Sequence, residues 1–112
     1  MNIRTGEMAD SGAIAALLTD LGYPTTAAQV AASLPRQLTH PDAPLLVAVE
    51  NEAVIGVMAL NFIPQLALAG DFCRISYFCV ASEARSQGVG AALEAAACDL
   101  ARTRGCDRME VH

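Results

Sequence analysis

The chain has 112 residues, a mass of 11.7 kDa and a formal net charge of −5, with 54% hydrophobic and 17% charged residues. This length allows one domain but not two, so we expect residues 1–112 to form a single domain. The apolar composition excludes a disordered chain. The acidic balance argues against a general nucleic-acid binder and against adhesion to an anionic membrane.

The first residues and the cysteines of the chain indicate the cellular compartment in which it works. The first residues lack the long apolar run of a signal peptide, and no apolar stretch reaches the roughly 20 residues that cross a bilayer. The four cysteines form no CxxC pair and have no His at ligand spacing, which argues against a zinc site. We therefore expect a cytoplasmic protein with reduced thiols and no metal.

Hydrophobic periodicity and turn residues predict the element order β-α-α-β-β-β-α-β. Asn2 to Thr5 is predicted to be a first strand, and Asp10 or Ser11 to cap the first helix. Its apolar face is Ile14, Leu17, Leu18 and Leu21, and Gly22 ends it.

The second helix is predicted to begin near Thr26, and Pro35 is expected to kink or interrupt it. The later elements are a hairpin, a further strand, a long helix and a short last strand. Their predicted bounds are Leu45 to Val49, Val54 to Leu60 (with an extension towards Pro64), Cys73 to Val80, Gly88 to Arg104 and Met109 to Val111.

The segment that follows Val80 has the chemistry of an anion site. A strand ends there, a polar loop turns, and two glycines, Gly88 and Gly90, open a long helix. Helix N-termini present unpaired amides and a partial positive charge, and glycine lets a phosphate approach the backbone. Arg85 adds one positive charge to this turn.

Three known phosphate-binding motifs place a glycine turn before a helix, and the spacing of their residues distinguishes them. A P-loop requires a Gly-Lys pair, and the chain contains no Lys. A dinucleotide fingerprint requires GxGxxG at the first strand–helix junction, whereas here Gly88-Val89-Gly90 is followed by Ala91-Ala92-Leu93 and lies late in the chain. Both designs are therefore disfavoured.

The third design fits the loop. Arg85-Ser86-Gln87-Gly88-Val89-Gly90 matches the Q/R-x-x-G-x-G/A signature of the GCN5-related N-acetyltransferase (GNAT) superfamily. The chain resembles that family over nearly its whole length, including Ser82-Glu83-Ala84-Arg85 before the motif and Leu21-Gly22-Tyr23-Pro24 between the first two helices. The resemblance implies an α/β (α+β) fold with a mixed, mainly antiparallel central sheet flanked by helices.

The resemblance also implies a cofactor site. The family uses acetyl-CoA as co-substrate and holds its pyrophosphate on backbone amides of the motif turn, here Gln87 to Ala91. The pantetheine arm lies along the fourth strand, where a bulge commonly aims an amide at the thioester carbonyl. The expected cofactor-binding residues are Phe78, Cys79 and Val80, through their backbones, and Arg85, Ser86, Gln87, Gly88, Val89, Gly90 and Ala91.

The implied function is transfer of an acetyl group to a primary amine of a small molecule or peptide by direct attack. Two alternatives stay open: a CoA-binding module without turnover, and a structural α/β domain with an accidental glycine turn. The catalytic residues stay unknown. Asp71, Glu110, His112, Tyr23, Tyr77 and Cys79 are each better explained by turn, packing or surface roles than by catalysis, although both tyrosines are candidates to line an acceptor pocket.

The chain departs from the family at its last residue. A complete member continues from the fifth strand into another helix and two more strands, so the acceptor half is expected to be truncated. We expect the uncovered edge at Met109 to His112 to pair between subunits, which predicts a homodimer or a higher oligomer.

Overall fold

In a computed structural model of the chain, which describes residues 1–111, one five-stranded sheet is flanked by three α-helices. Two single-turn 3₁₀ helices precede α1 and α3. Among these residues, no helix is both long enough and apolar enough to cross a bilayer. The elements are β1 Asn2–Thr5, a 3₁₀ turn Met8–Asp10, α1 Ser11–Asp20, α2 Ala27–Thr39, β2 Leu45–Glu50, β3 Ala53–Ile63, β4 Phe72–Val80, a 3₁₀ turn Ser82–Ala84, α3 Val89–Arg104 and β5 Arg108–Val111.

The strands lie in the sheet in chain order. The pairs from β1 to β4 are antiparallel, and β4 pairs with β5 in parallel. A parallel neighbour needs a crossover connection, which α3 supplies. This arrangement confirms the predicted element order and the mixed, mainly antiparallel sheet.

Helices cover both faces of the sheet, and each face has its own aliphatic core. On one face, α3 packs Val89, Leu93 and Ala97 against β2, β3 and β4, with the fully buried Met58 and Leu60 beneath it. On the other face, α1 and α2 cover a second set of strand residues. That second core contains Ile14, Leu17, Val30, Leu34, Val47, Val57 and Cys79.

The structure confirms most of the predicted helix boundaries. Leu21 is 44% exposed, so its assignment to the buried face of α1 was wrong: the helix ends at Asp20, and Leu21 lies beyond the last turn. Thr26 caps α2 by accepting a 3.1 Å hydrogen bond from the Gln29 N–H, as predicted. Pro35 does not interrupt α2, which continues to Thr39 because packing of its buried face outweighs one lost hydrogen bond.

Asp10 is the N-cap residue of α1, as predicted, but its side chain accepts no hydrogen bond from the amides of that helix. A 3₁₀ turn precedes the helix, and the Asp10 carboxylate accepts a 2.8 Å hydrogen bond from the Glu7 N–H at the start of that turn. The same carboxylate accepts two hydrogen bonds from the Arg4 guanidinium, at 2.9 and 3.0 Å, and is 7% exposed. The hydrogen bond from Arg4 lowers the pKa of Asp10. This pair ties β1 to the start of the helical hairpin.

Replacing Asp10 with Asn should lower the free energy of unfolding at pH 7 by about 1–3 kcal/mol, because a buried, charge-assisted hydrogen-bond pair is lost. A carboxylate with a lowered folded-state pKa stabilises the fold above its unfolded-state pKa of about 3.9, and this contribution is lost as the pH falls through the folded-state value. In urea titrations, the difference between wild type and Asp10→Asn should therefore shrink from pH 7 to pH 2.5.

The control for this measurement is Asp20→Asn at the exposed end of α1, which should change the unfolding free energy by no more than about 0.5 kcal/mol. An equal difference between Asp10→Asn and wild type at both pH values would contradict the role given to the ion pair.

Candidate functional site

One extra residue interrupts β4 at Ser76. Tyr77 pairs with Ala59 and Ile75 with the next residue, Leu60, so Ser76 has no partner of its own on β3. Such a bulge bends a strand and redirects the side chains that follow it. The Ser76 hydroxyl donates a 2.6 Å hydrogen bond to Asn61 Oδ1, which anchors the bulge to β3. Sequence analysis expected a bulge near residues 78–80, and the structure places it just before them.

The bulge decides which face each β4 side chain meets. Before it, Cys73 and Ile75 lie in the core under α3. After it, Phe78 packs against that same core, and Cys79 lies in the core under α1 and α2. Strict alternation from Ile75 would have placed Tyr77 under α3 instead. The side chains of Phe78 and Val80 therefore have packing roles, as expected.

Part of the outer edge of β4 has no neighbouring strand within residues 1–111. The Ala81 N–H donates to the Ile55 carbonyl at 2.8 Å, so Ala81 is one of the β4-side residues whose backbone groups face β3. Because backbone groups alternate sides along an antiparallel strand, Cys79 faces β3, whereas the N–H and C=O of Phe78 and Val80 point outward. Within residues 1–111, β5 pairs with β4 only from Phe72 to Ile75. Two of the three predicted pantetheine partners thus direct their backbone groups away from the sheet.

The glycine turn supplies a group of unpaired amides. Gly88 is the N-cap of α3 with a left-handed φ of +78°, a conformation that favours glycine. The Gln87 N–H already donates to the Ala84 carbonyl at 3.1 Å. The next four N–H groups, Gly88 to Ala91, meet no acceptor within the described part of the chain. Unpaired amides at a helix N-terminus are an arrangement that commonly binds anions in proteins.

Other motif residues hold this turn against β4. A Cβ added to Gly90 would lie 3.4 Å from the Phe78 ring, so glycine lets α3 sit close to the strand. Val89 is 1% exposed and packs in the core, so only its backbone faces the turn. Ser86 and Arg85 are exposed, and Arg85 Nε donates to the Val80 carbonyl at 3.3 Å. This contact holds the guanidinium beside the turn.

The charged candidates for the acceptor side lie elsewhere. Asp71 precedes β4 and forms a 3.3 Å ion pair with Arg104. The length of β4 separates it from Val80 by about 25 Å. Glu110 is exposed on β5 and pairs with Arg108 at 3.4 Å. His112 lies outside the described residues. The structure therefore brings neither Asp71 nor Glu110 to the glycine turn.

The two tyrosines line a cavity between the helical hairpin and the sheet. The rings of Tyr23 and Tyr77 meet edge to face, with centroids 5.2 Å apart and an interplanar angle of 78°. The cavity has a volume of about 540 Å³. The sequence identified both tyrosines as candidates to line a pocket, but not the other lining residues, which come from α1, α2 and three strands and share no local motif.

The two thiols of β4, Cys73 and Cys79, are not arranged for nucleophilic chemistry. Cys79 is 1% exposed and Cys73 is fully buried. Burial raises the pKa of the Cys79 thiol and raises that of Cys73 to about 11, so both stay protonated at neutral pH. Within residues 1–111, no three His, Cys, Asp or Glu side chains lie close enough to hold a metal ion.

Comparisons with known proteins agree with this geometry. The family model described as "Acetyltransferase (GNAT) family" matches residues 14–112. A GNAT family acetyltransferase from Staphylococcus aureus superposes with a TM-score of 0.89 at 24% identity, covering 99% of this chain and 84% of that chain. A transcriptional regulator from Bacillus halodurans gives a TM-score of 0.91 at 22% identity, with 99% and 80% covered.

A glucosamine-6-phosphate N-acetyltransferase from Arabidopsis thaliana superposes with a TM-score of 0.88 at 17% identity, again with 99% and 80% covered. The search of curated proteins found no match. At these identities, the solved structures establish a shared fold.

Burial predicts the order in which the cysteines react. At pH 7.5, iodoacetamide should alkylate the half-buried Cys98 and Cys106 of the native protein, while Cys73 and Cys79 react only after unfolding in urea. The reason is that the thiolate is the nucleophile, and burial opposes both its formation and access to it. Peptide mass spectrometry over a time course gives the measurement. Alkylation of Cys79 in the native protein as fast as in urea would contradict the buried, protonated thiol.

Proposed function

The chain belongs to the GNAT family of acetyltransferases, whose members use acetyl-CoA, and we propose that it transfers the acetyl group to a primary amine by direct attack. The observation that carries the proposal is the group of four unpaired amides at Gly88 to Ala91, next to a strand edge that directs backbone groups outward. Acetyl-CoA is both polyanionic and extended, so the amides would bind its pyrophosphate and the strand edge its long pantetheine arm.

The turn is suited to the pyrophosphate of CoA. Four N–H groups and the positive end of the α3 dipole converge there, and Arg85 adds a positive charge. This local arrangement explains how a chain with a net charge of −5 binds a polyanion. Attraction by the whole protein is not needed, because preorganised amides provide the anion site.

The edge of β4 is suited to the pantetheine arm. Phe78 directs its N–H and C=O outward and Val80 its N–H, while the Val80 carbonyl accepts the bond from Arg85, so the amides of the arm can pair with the outward groups as an added strand would. A backbone N–H beside the bulge is positioned on a rigid element, which is what polarising a thioester carbonyl requires. The arm would then run from the motif turn back towards Ser76.

The proposed reaction is one displacement at the thioester carbon. The nitrogen lone pair of a neutral amine forms the new N–C bond, and the C–S bond breaks. CoA leaves with the bonding electron pair on sulfur, and the proton lost by nitrogen balances the proton that the thiolate takes up. The general base and acid are unassigned, and the buried Cys79 has no step in this scheme.

A cytoplasmic location and homo-oligomerisation stay predictions.

The main alternative, CoA binding without turnover, is separated from this proposal by a product assay. Acetyl-CoA is incubated with a panel of amines, and both the acetylated amine and free CoA are quantified by mass spectrometry. Equal amounts of both products support transfer. Binding of CoA without either product would overturn it in favour of a binding module.

The first variant tests the glycine turn. Gly88→Val should abolish the stabilisation by CoA, which in the wild type reaches about 2.7 kcal/mol at a ligand concentration a hundredfold above Kd. The reason is that Gly88 has a left-handed φ and open space in front of it, where a branched side chain would occupy the phosphate position. Thermal unfolding with and without CoA gives the measurement.

Gly105→Val is the matched control. Gly105 has almost the same φ, +79°, and equally open surroundings, but it lies at the opposite end of α3. Both variants should lose similar intrinsic stability, and only Gly88→Val should lose the shift caused by CoA. If Gly88→Val is stabilised like the wild type, the pyrophosphate binds elsewhere.

The second variant tests the contribution of Arg85. Arg85→Ala should raise the Kd for CoA about tenfold and reduce its salt dependence, because one screened charge is lost while the four amides remain. Isothermal titration at two salt concentrations measures both effects. Arg102→Ala, which removes an exposed arginine near the far end of α3, should leave Kd unchanged. A complete loss of binding in Arg85→Ala would contradict the dominance of the backbone amides.

A further inference from the structure

The cavity beside Tyr77 has the size of a small-molecule site. Its volume of about 540 Å³ lies within the range of about 300–1,000 Å³ that is typical of such sites. Its floor is formed by Leu45, Val57 and Ala59 of the sheet, and its walls by α1, α2 and the turn between them. It lies on the face of the sheet opposite α3, so it is separate from the glycine turn.

The lining of the cavity is uncharged throughout. Every lining side chain in the described part of the chain is aliphatic, aromatic or neutral and polar, although the chain as a whole carries 19 Asp, Glu, Lys and Arg residues. A group that enters the cavity loses water, and a charged group meets no opposite charge among these mostly apolar side chains. The cavity therefore suits a neutral, apolar body and disfavours a polycation or a polyhydroxylated sugar.

Two aromatic rings mark one wall of the cavity. Tyr23 and Tyr77 are 46% and 43% exposed, so part of each ring is open to a ligand in the cavity. Their edge-to-face contact fixes both rings, since Tyr23 lies on the turn after α1 and Tyr77 on β4. A third ring can pack against their exposed surfaces with the geometry that aromatic pairs prefer.

The strand that carries Tyr77 connects this cavity to the proposed thioester site. Tyr77 immediately precedes Phe78, whose backbone points to the outer edge of β4. The bulge at Ser76 directs Tyr77 to the cavity face. A body that rests on the two tyrosines thus lies next to the part of β4 at which the thioester is proposed to bind.

We infer that the acceptor is an arylalkylamine, a primary amine carried on an uncharged aromatic body, and that Tyr23 and Tyr77 determine this preference. The inference rests on the proposed function, because it names the amine that this transferase would acetylate. Sugar amines and polyamines are the disfavoured acceptors.

The experiment compares kcat/KM for four amines at a fixed concentration of acetyl-CoA: 2-phenylethylamine, butylamine, glucosamine and spermidine. Butylamine is the matched control, since it has the same primary amine without the ring. We expect 2-phenylethylamine to exceed each of the others at least tenfold. A value for butylamine or spermidine equal to that for 2-phenylethylamine would overturn the inference.

Variants test the role of the tyrosines. Tyr77→Ala and Tyr23→Ala should each reduce the ratio of kcat/KM for 2-phenylethylamine to that for butylamine about tenfold, and Tyr77→Phe should restore most of it, because the ring is kept. Leu68→Ala, which removes an exposed leucine that does not line the cavity, should leave the ratio unchanged. An unchanged ratio in both alanine variants would overturn the role of the rings.

Two binding measurements separate failure of this inference from failure of the proposed function. Stabilisation by CoA reports on the cofactor site alone, so its absence in the wild type would overturn the proposed function. Line broadening of the ring protons of 2-phenylethylamine, measured with CoA present, reports on the cavity without requiring turnover. Ring binding that is lost in Tyr77→Ala supports the cavity assignment, and no ring binding while CoA still binds would overturn it.

Discussion

The direction of Tyr77 towards the cavity and the outward direction of the Phe78 backbone both depend on the single extra residue at Ser76. A regular β4 would send Tyr77 into the core beneath α3, because side chains alternate along a strand. The bulge shifts this alternation by one residue, so Phe78 packs under α3 and Cys79 under the helical hairpin. The hydrogen bond from Ser76 to Asn61 fixes the bulge in place. Both the cavity and the outward-facing backbone of Phe78 follow from this shift.

The start of α3 depends on the same segment of β4. Gly90 lets the helix approach the Phe78 ring, and the left-handed Gly88 turns the chain into α3, where the N–H groups of Gly88 to Ala91 have no acceptor within the described residues. The two glycines therefore have different roles: one allows close packing, and the other sets the direction of the backbone. Gly90 packs against the Phe78 ring, and Arg85 donates a hydrogen bond to the Val80 carbonyl. These contacts hold the start of α3 at a fixed distance from the end of β4.

The positions of individual charged side chains matter more for the proposed site than the net charge of −5. The Arg4–Asp10 pair and the Arg104–Asp71 pair join separate segments of the fold and take no part in the proposed site. Arg85 instead binds a backbone carbonyl at the end of β4, which leaves its positive charge beside the amides. The cavity beside Tyr77 is lined by neutral side chains. Within one acidic domain, the proposed anion site and an uncharged cavity therefore lie on opposite faces of one sheet.

The sequence by itself determined the features that depend on neighbouring residues. Apolar periodicity defined the strands and helices, Thr26 and Gly22 marked helix ends, and the spacing from Arg85 to Gly90 identified the family, since a helix N-terminal turn is built from consecutive residues. The sequence placed Asp10 correctly at the start of α1 but gave its carboxylate the wrong partner, because Arg4 on β1 and the Glu7 N–H donate to it instead of the amides of α1.

Only the tertiary structure decided the position of the bulge, the direction of the β4 backbone groups and the cavity. The register between Ala59 and Tyr77 depends on how two distant segments pair, and the residues before and after Ser76 have no unusual composition. The cavity joins Tyr23 to Tyr77 across 54 positions of the sequence. Contacts of this kind arise when separate elements pack together, and so no local pattern of residues encodes them.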